Sequence, residues 1–180
     1  NASMRKPVII AVVESKRSGK TTTVEALTKE LTRRDYKVAA VKHIHTPDFT
    51  VDREGKDTWR FAQAGARTII AVGTNEVVTI EKVQEENLSL KEILQKCRNS
   101  DVVFLEGFRD IVRRNRHIYK VVVVKSAEEA LEAAKNFHPL LVFAGTYSTD
   151  GLNLKVPYVN ALRKPSELAD LVERAIKESG

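Results

Sequence analysis

Eight consecutive residues, Ser15, Lys16, Arg17, Ser18, Gly19, Lys20, Thr21 and Thr22, follow an apolar run and precede a helical pattern. In the phosphate-cradling template G-x-x-x-x-G-K-[ST], backbone N–H groups wrap the phosphates. The lysine reaches the terminal phosphates and the hydroxyl ligates Mg2+. Gly19, Lys20 and Thr21 fit those positions, whereas Glu14 occupies the first glycine position. A bare Gly-Lys-Thr recurs by chance; its weight here comes from the strand before it and the helix after it. Lys20 is expected at the β and γ oxygens and Thr21 at Mg2+. The dipole of the following helix favours the bound anion, and Lys16 and Arg17 add positive charge. A carboxylate at Glu14 repels phosphates, so it is expected to point away from them or to leave a wider loop.

Ligands of open α/β sheets bind beyond the carboxyl ends of the strands, which makes the residue after each strand the next place to look. Glu106 closes the apolar run 102–105 and is read as the second carboxylate of a phosphate-loop protein, holding Mg2+ directly or through water. Asp101, at the other end of that strand, reads as a turn residue. The second strand is followed by Lys42, His43, Ile44 and His45, then by Asp48, Asp52 and Asp57. In an extended segment His43 and His45 share a face; the roles open to them are phosphate contact, catalytic support, structural hydrogen bonding and metal ligation. Asp52 and Asp57 are candidates for approach to the Mg2+ shell. Arg109 opens the basic segment 109–117 (R-D-I-V-R-R-N-R-H), placed by its order on the γ-phosphate side as a solvated loop, an anion-binding flap or a docking surface. Lys125 ends a later strand where guanine-reading proteins carry an aspartate motif, which is missing here. Gly145 and Thr146 lie where a second base-contacting loop is common.

These residues need a scaffold, and the pattern supplies one. Runs 8–13, 37–41, 102–105, 118–124 and 140–144 read as strands. The first is apolar throughout, as in a strand buried on both faces. Helical patterns fall at 20–34, around 57–64, at 88–98, after Ser126 with a capping box to Glu129, and from Pro165 to about 177, with Leu168, Leu171, Val172, Ala175 and Ile176 as the last helix's stripe. Residues 68–72 and 77–80 flank Gly73-Thr74-Asn75-Glu76 as a hairpin, so part of the sheet is expected to be antiparallel. The alternation predicts an α/β fold of P-loop NTPase type, three layers around a mostly parallel sheet with an antiparallel hairpin.

The chain has 180 residues, the size of one domain with a single core. Residues 4–180 are read as that domain and residues 1–3, ahead of Met4, as a vector-derived remnant. No apolar run is long enough to span a bilayer, and no leader pattern precedes the phosphate loop, which points to a cytoplasmic location. Cys97 is the only cysteine and is expected to be a small core residue beside Leu90, Ile93 and Leu94. A net charge of +6 favours anionic partners, but with 30% charged residues the composition also fits a thermophile-like surface rich in ion pairs.

Three blocks together resemble the family of molybdopterin-guanine dinucleotide biosynthesis protein B. They are S-G-K-T-T at residues 18–22, K-H-I-H at 42–45 with V-D-R-E-G-K-D-T at 51–58 and A-G-A at 64–66, and F-L-E-G-F-R at 104–109. Val156-Pro157 and the last helix fit the family's end. The resemblance implies a dimeric α/β phosphate-loop protein that binds GTP with Mg2+, hydrolyses it slowly at most, and assists guanylylation of molybdopterin. Its implied partners are the molybdenum cofactor guanylyltransferase and, beyond it, molybdopterin or a molybdoenzyme. Departures from the family pattern are Glu14 for a frequent Gly, Arg53-Glu54 where Lys-Pro is common, and the long arginine-rich stretch after Phe108.

Two other classes compete. A small-molecule or nucleotide kinase needs the same loop plus an acceptor pocket and a lid, for which the basic segment is the candidate. A metal-delivery GTPase would use His43 and His45 as ligands. Nucleic-acid binding is disfavoured by the lack of aromatic residues interleaved with basic ones.

Overall fold

A computed structural model of the chain describes residues 6–14, 19–147 and 154–179. Its contacts gather into two compact units, one of residues 1–43 and 94–180, the other Ile44–Ile93.

The first unit is built on β1 (Val8–Glu14), α1 (Lys20–Arg33), β2 (Val38–Lys42), β5 (Val102–Glu106), α4 (Arg109–Val112), β6 (Ile118–Val123), α5 (Ala127–Asn136), β7 (Leu140–Gly145), β8 (Tyr158–Asn160) and α6 (Pro165–Glu178). The second contains α2 (Asp57–Gln63), β3 (Thr68–Val72), β4 (Val77–Glu81) and a 3-10 turn at Glu85–Asn87; α3 (Leu90–Gln95) leads the chain back into the first.

Six strands form one sheet in the order β2-β5-β1-β6-β7-β8, and every adjacent pair is parallel. From β1 the chain crosses to one side for β2 and later returns to the other for β6, so β1 lies at the switch point. Parallel strands bury both faces. Ile10 and Val12 meet Val24, Leu27 and Leu31 of α1 and Leu168, Val172 and Ile176 of α6 in one core cluster. Alternate residues Ala11 and Val13 point to the opposite face and are as fully buried. Leu27 and Leu168 are both inaccessible to solvent, and truncation of such side chains to Ala costs about 2–5 kcal/mol each.

The antiparallel pair is real, but β3 and β4 form a separate two-stranded sheet in the second unit rather than part of the main one. Local turn chemistry shows a hairpin and does not show which sheet it joins. The strand β8 goes beyond the expected set: three residues long, it pairs with the end of β7, too short for an alternation to register. Cys97 differs as well, lying half-buried just after α3, a helix with no fully buried residue, and burial raises its thiol pKa.

Candidate functional site

Register places the chemistry-bearing side chains at one end of the main sheet. Val12 pairs with Glu106, and Glu106 with Lys42, so the ends of β1, β5 and β2 lie side by side. Helix α1 starts directly after Gly19, its N-cap, whose φ of +83° is left-handed. A Cβ there would come within 2.9 Å of Val123 Cγ1. Both the backbone conformation and the lack of space require glycine. Thr23, buried beneath, donates from Oγ1 to Gly19 O at 2.7 Å and fixes the first turn.

Thr21 and Glu106 come together as the sequence suggests: Thr21 Oγ1 donates to Glu106 Oε1 at 2.7 Å, and Glu106 is only 8% exposed. The same Oε1 lies 3.7 Å from Lys42 Nζ, a partner for the carboxylate that the sequence does not announce. Lys20 Nζ stands 3.6 Å from Glu14 Oε1, so Glu14 turns toward the lysine expected at the phosphates rather than away from it. A hydroxyl and a carboxylate oxygen in contact form a hard-oxygen pair suited to Mg2+, beside an ammonium at the start of a 14-residue helix. That donor set and the glycine cradle fit an Mg2+–nucleotide complex.

His43 holds the floor between the strand ends. Its N–H donates to Glu106 O at 3.0 Å, and its ring stacks on Phe108 with centroids 4.8 Å apart and planes 15° from parallel. Phe108 is left-handed at φ +59° and caps α4. The next residue, Arg109, donates from Nη1 to Glu14 O at 3.4 Å, while its guanidinium lies 5.4 Å from the centroid of the buried Phe137 ring.

The rest of the basic segment is elsewhere. Ile118 pairs with Ile9, five residues below Glu14, so residues 113–117 approach the opposite end of the sheet, about 16 Å away by strand rise. There His138 N donates to Arg113 O at 3.1 Å and Arg113 Nη2 to Asn136 Oδ1 at 2.9 Å. The expected placement at the phosphate side therefore fails for residues 113–117, because α4 carries the chain back down the sheet. Beneath this turn Lys120 is fully buried in β6. Its ammonium donates to Asn115 O, Ile118 O and His138 O at 2.6, 2.7 and 2.7 Å, and burial lowers its pKa to about 8. A lysine inside a doubly buried strand was the available signal for it.

Ser15, Lys16, Arg17 and Ser18 lie outside the described residues; Thr22 is the half-buried third residue of α1. In the second unit, Asp52 Oδ1 accepts from Thr58 Oγ1 at 3.0 Å and from Arg53 N at 2.9 Å, closing the turn that enters α2. Asp57 is exposed in the first turn of that helix, and His45 is exposed in the same unit. Among the described residues no three His, Cys, Asp or Glu side chains gather as a metal cluster. Lys125 and Thr146 are exposed. Lys125 N is held by Glu129 Oε2 at 2.8 Å, and Ser126 Oγ accepts from Glu129 N at 3.2 Å, completing the capping box. Gly145 is crowded, because an added Cβ would meet Val124 O at 2.6 Å and Tyr158 Oη at 2.8 Å.

Comparison with known proteins shows the family and the fold. A family model described as Molybdopterin guanine dinucleotide synthesis protein B matches residues 9–144. A putative molybdopterin-guanine dinucleotide biosynthesis adapter protein of Methanocaldococcus jannaschii is 32% identical over 155 residues, covering 86% of this chain and 62% of that protein. The adapter protein of Haemophilus influenzae is 37% identical over 94 residues, 51% of this chain and 52% of its own. The chain thus spans roughly half to three fifths of the length of these curated relatives. The crystal structure of Bacillus subtilis MobB superimposes with a TM-score of 0.71 at 23% identity, over 92% of this chain and 96% of that one. At that identity the likeness speaks for the fold.

Proposed function

The chain belongs to the molybdopterin guanine dinucleotide synthesis protein B family, and we propose that it is a GTP-binding adapter assisting guanylylation of molybdopterin. The observation that carries the nucleotide part is the Thr21–Glu106 contact beside Lys20, at the switch point of a parallel sheet. Family membership favours this reading over a kinase, and the kinase's candidate lid is gone, since residues 113–117 approach the far end of the sheet.

In this account Gly19 lets the backbone turn tightly under the phosphates. Lys20 neutralises their outer oxygens, and the start of α1 adds its dipole. Thr21 and Glu106 would hold Mg2+, which would supply positive charge against the phosphates. Lys42 keeps the buried Glu106 compensated in the ligand-free protein. Burial of an unpaired carboxylate would otherwise be costly. His43, stacked on Phe108, fixes the backbone that presents Glu106. At most slow hydrolysis belongs to this reading as the family resemblance implies it, with His43 and Glu106 the groups at this sheet end that could position a water.

The partner in this reading is the guanylyltransferase of molybdenum cofactor maturation. A second copy of the chain is the other, on the face of the β3–β4 hairpin carrying Ile70, Val72 and Val77, which are 59%, 77% and 62% exposed. Both hairpin edges are unpaired among the described strands, and a lone two-stranded sheet is marginal in water. Adding the chain to a guanylyltransferase assay at limiting GTP tests the reading. The yield of guanine dinucleotide product should rise with the native chain and not with Lys20→Ala; equal yields with both would refute it.

A further inference from the structure

The position that departs from the phosphate-loop template carries an inference of its own. Glu14 is the last residue of β1, and its Oε1 stands 3.6 Å from Lys20 Nζ. Both side chains are largely withdrawn from solvent, at 16% and 26% exposure, so water screens the pair less than it would at an open surface. Arg109 fixes this strand end by donating to Glu14 O at 3.4 Å, and Lys20 is fixed as the first residue of α1 behind a glycine that cannot be replaced without a clash. The carboxylate therefore stands where the lysine's anionic partner belongs. Across the same strand ends Lys42 pairs with Glu106. Two lysines and two carboxylates cancel, leaving these four groups without net charge.

We propose that Glu14 is an affinity-setting residue, an internal carboxylate that competes with the nucleotide's phosphates for Lys20. The inference rests on the reading that Lys20 serves those phosphates. Binding then exchanges one ion pair for another: the Lys20–Glu14 contact opens as the Lys20–phosphate contact forms, and no bond is made or broken. The exchange favours ligands that bring several phosphate oxygens at once, because one anionic contact merely replaces another. A single inorganic phosphate gains little over the carboxylate already in place, whereas a di- or triphosphate adds contacts to backbone N–H groups and to the metal pair. Glu14 acts in this way as a common offset on every phosphate ligand that uses Lys20 and leaves the base unread.

Calorimetric titration of the full chain and of Glu14→Gln with Mg·GTP, Mg·GDP and guanosine tests the inference, with Glu14→Gly as a second variant should the amide disturb β1. Removing the competitor should tighten GTP and GDP roughly three- to tenfold and leave guanosine unchanged. In a Lys20→Ala background the same substitution should produce little gain, because the contested group is gone. Unchanged or weaker GTP binding by Glu14→Gln, or an equal gain with Lys20 absent, would overturn the competition. Failure of the underlying reading looks different: the native chain would then bind no Mg·GTP, or Lys20→Ala would bind it as well as the native chain does.

Discussion

Glycine 19 shows how much a single residue position can carry. Its left-handed φ and the 2.9 Å approach of a would-be Cβ to Val123 Cγ1 act together, so Gly19→Ala is expected to cost about 1–3 kcal/mol of stability. Urea unfolding measures that, and nucleotide binding should fall with it. Lys120 gives a prediction of another kind. Lys120→Met leaves three carbonyls without their donor and should destabilise by about 2–4 kcal/mol at pH 7.5. Burial holds the folded pKa near 8 against 10.5 for the ordinary lysine. Between those values the unfolded chain carries the extra proton, so this group's contribution to stability rises with pH across that window and is lost as pH falls through 8. Denaturant titrations at pH 7.5 and 9.5 should therefore show the native chain gaining about 2 kcal/mol relative to Lys120→Met. The sequence reveals Gly19 through its motif. For Lys120 the sequence offers only a lysine within an apolar strand, and the three carbonyls that hold it appear only in the structure.

At the level of elements, α1, α5, α6 and every strand but β8 were legible because their signals are local: apolar runs, a capping box, a proline at a helix start. Ser126 is a direct check on one such signal, and Ser126→Ala should cost about 1 kcal/mol in thermal or urea unfolding, since it removes the acceptor of Glu129 N–H. What local signals do not carry is where an element goes. The hairpin 68–81 was visible from its turn, yet its separation from the main sheet depends on long-range pairing. The basic segment was visible from its charge, yet a four-residue helix, α4, redirects it. The hairpin face yields its own test: if a second copy covers Ile70, Val72 and Val77, a Val72→Glu, Val77→Glu double substitution should shift sedimentation from dimer to monomer without loss of helical content. An unchanged dimer would place the interface elsewhere.

For the molecule as a whole, the order of the strands makes the site. Only with β5 and β1 adjacent does Glu106 reach Thr21, residues 85 positions apart in the chain. The sequence named both from motif chemistry, Gly-Lys-Thr after one strand and Glu after another. The charge balance between them, Glu14 with Lys20 and Lys42 with Glu106, is a property of the assembled sheet and had no sequence signature. Among the described residues no helix is long and apolar enough to cross a membrane. The central claim is that this sheet end holds Mg·GTP. Isothermal titration with GTP and then ATP, each with Mg2+, against the native chain and Lys20→Ala tests it most directly. The account predicts saturable binding that favours GTP and is lost in Lys20→Ala. Equal or tighter binding of ATP, or GTP binding indifferent to Lys20, would contradict it.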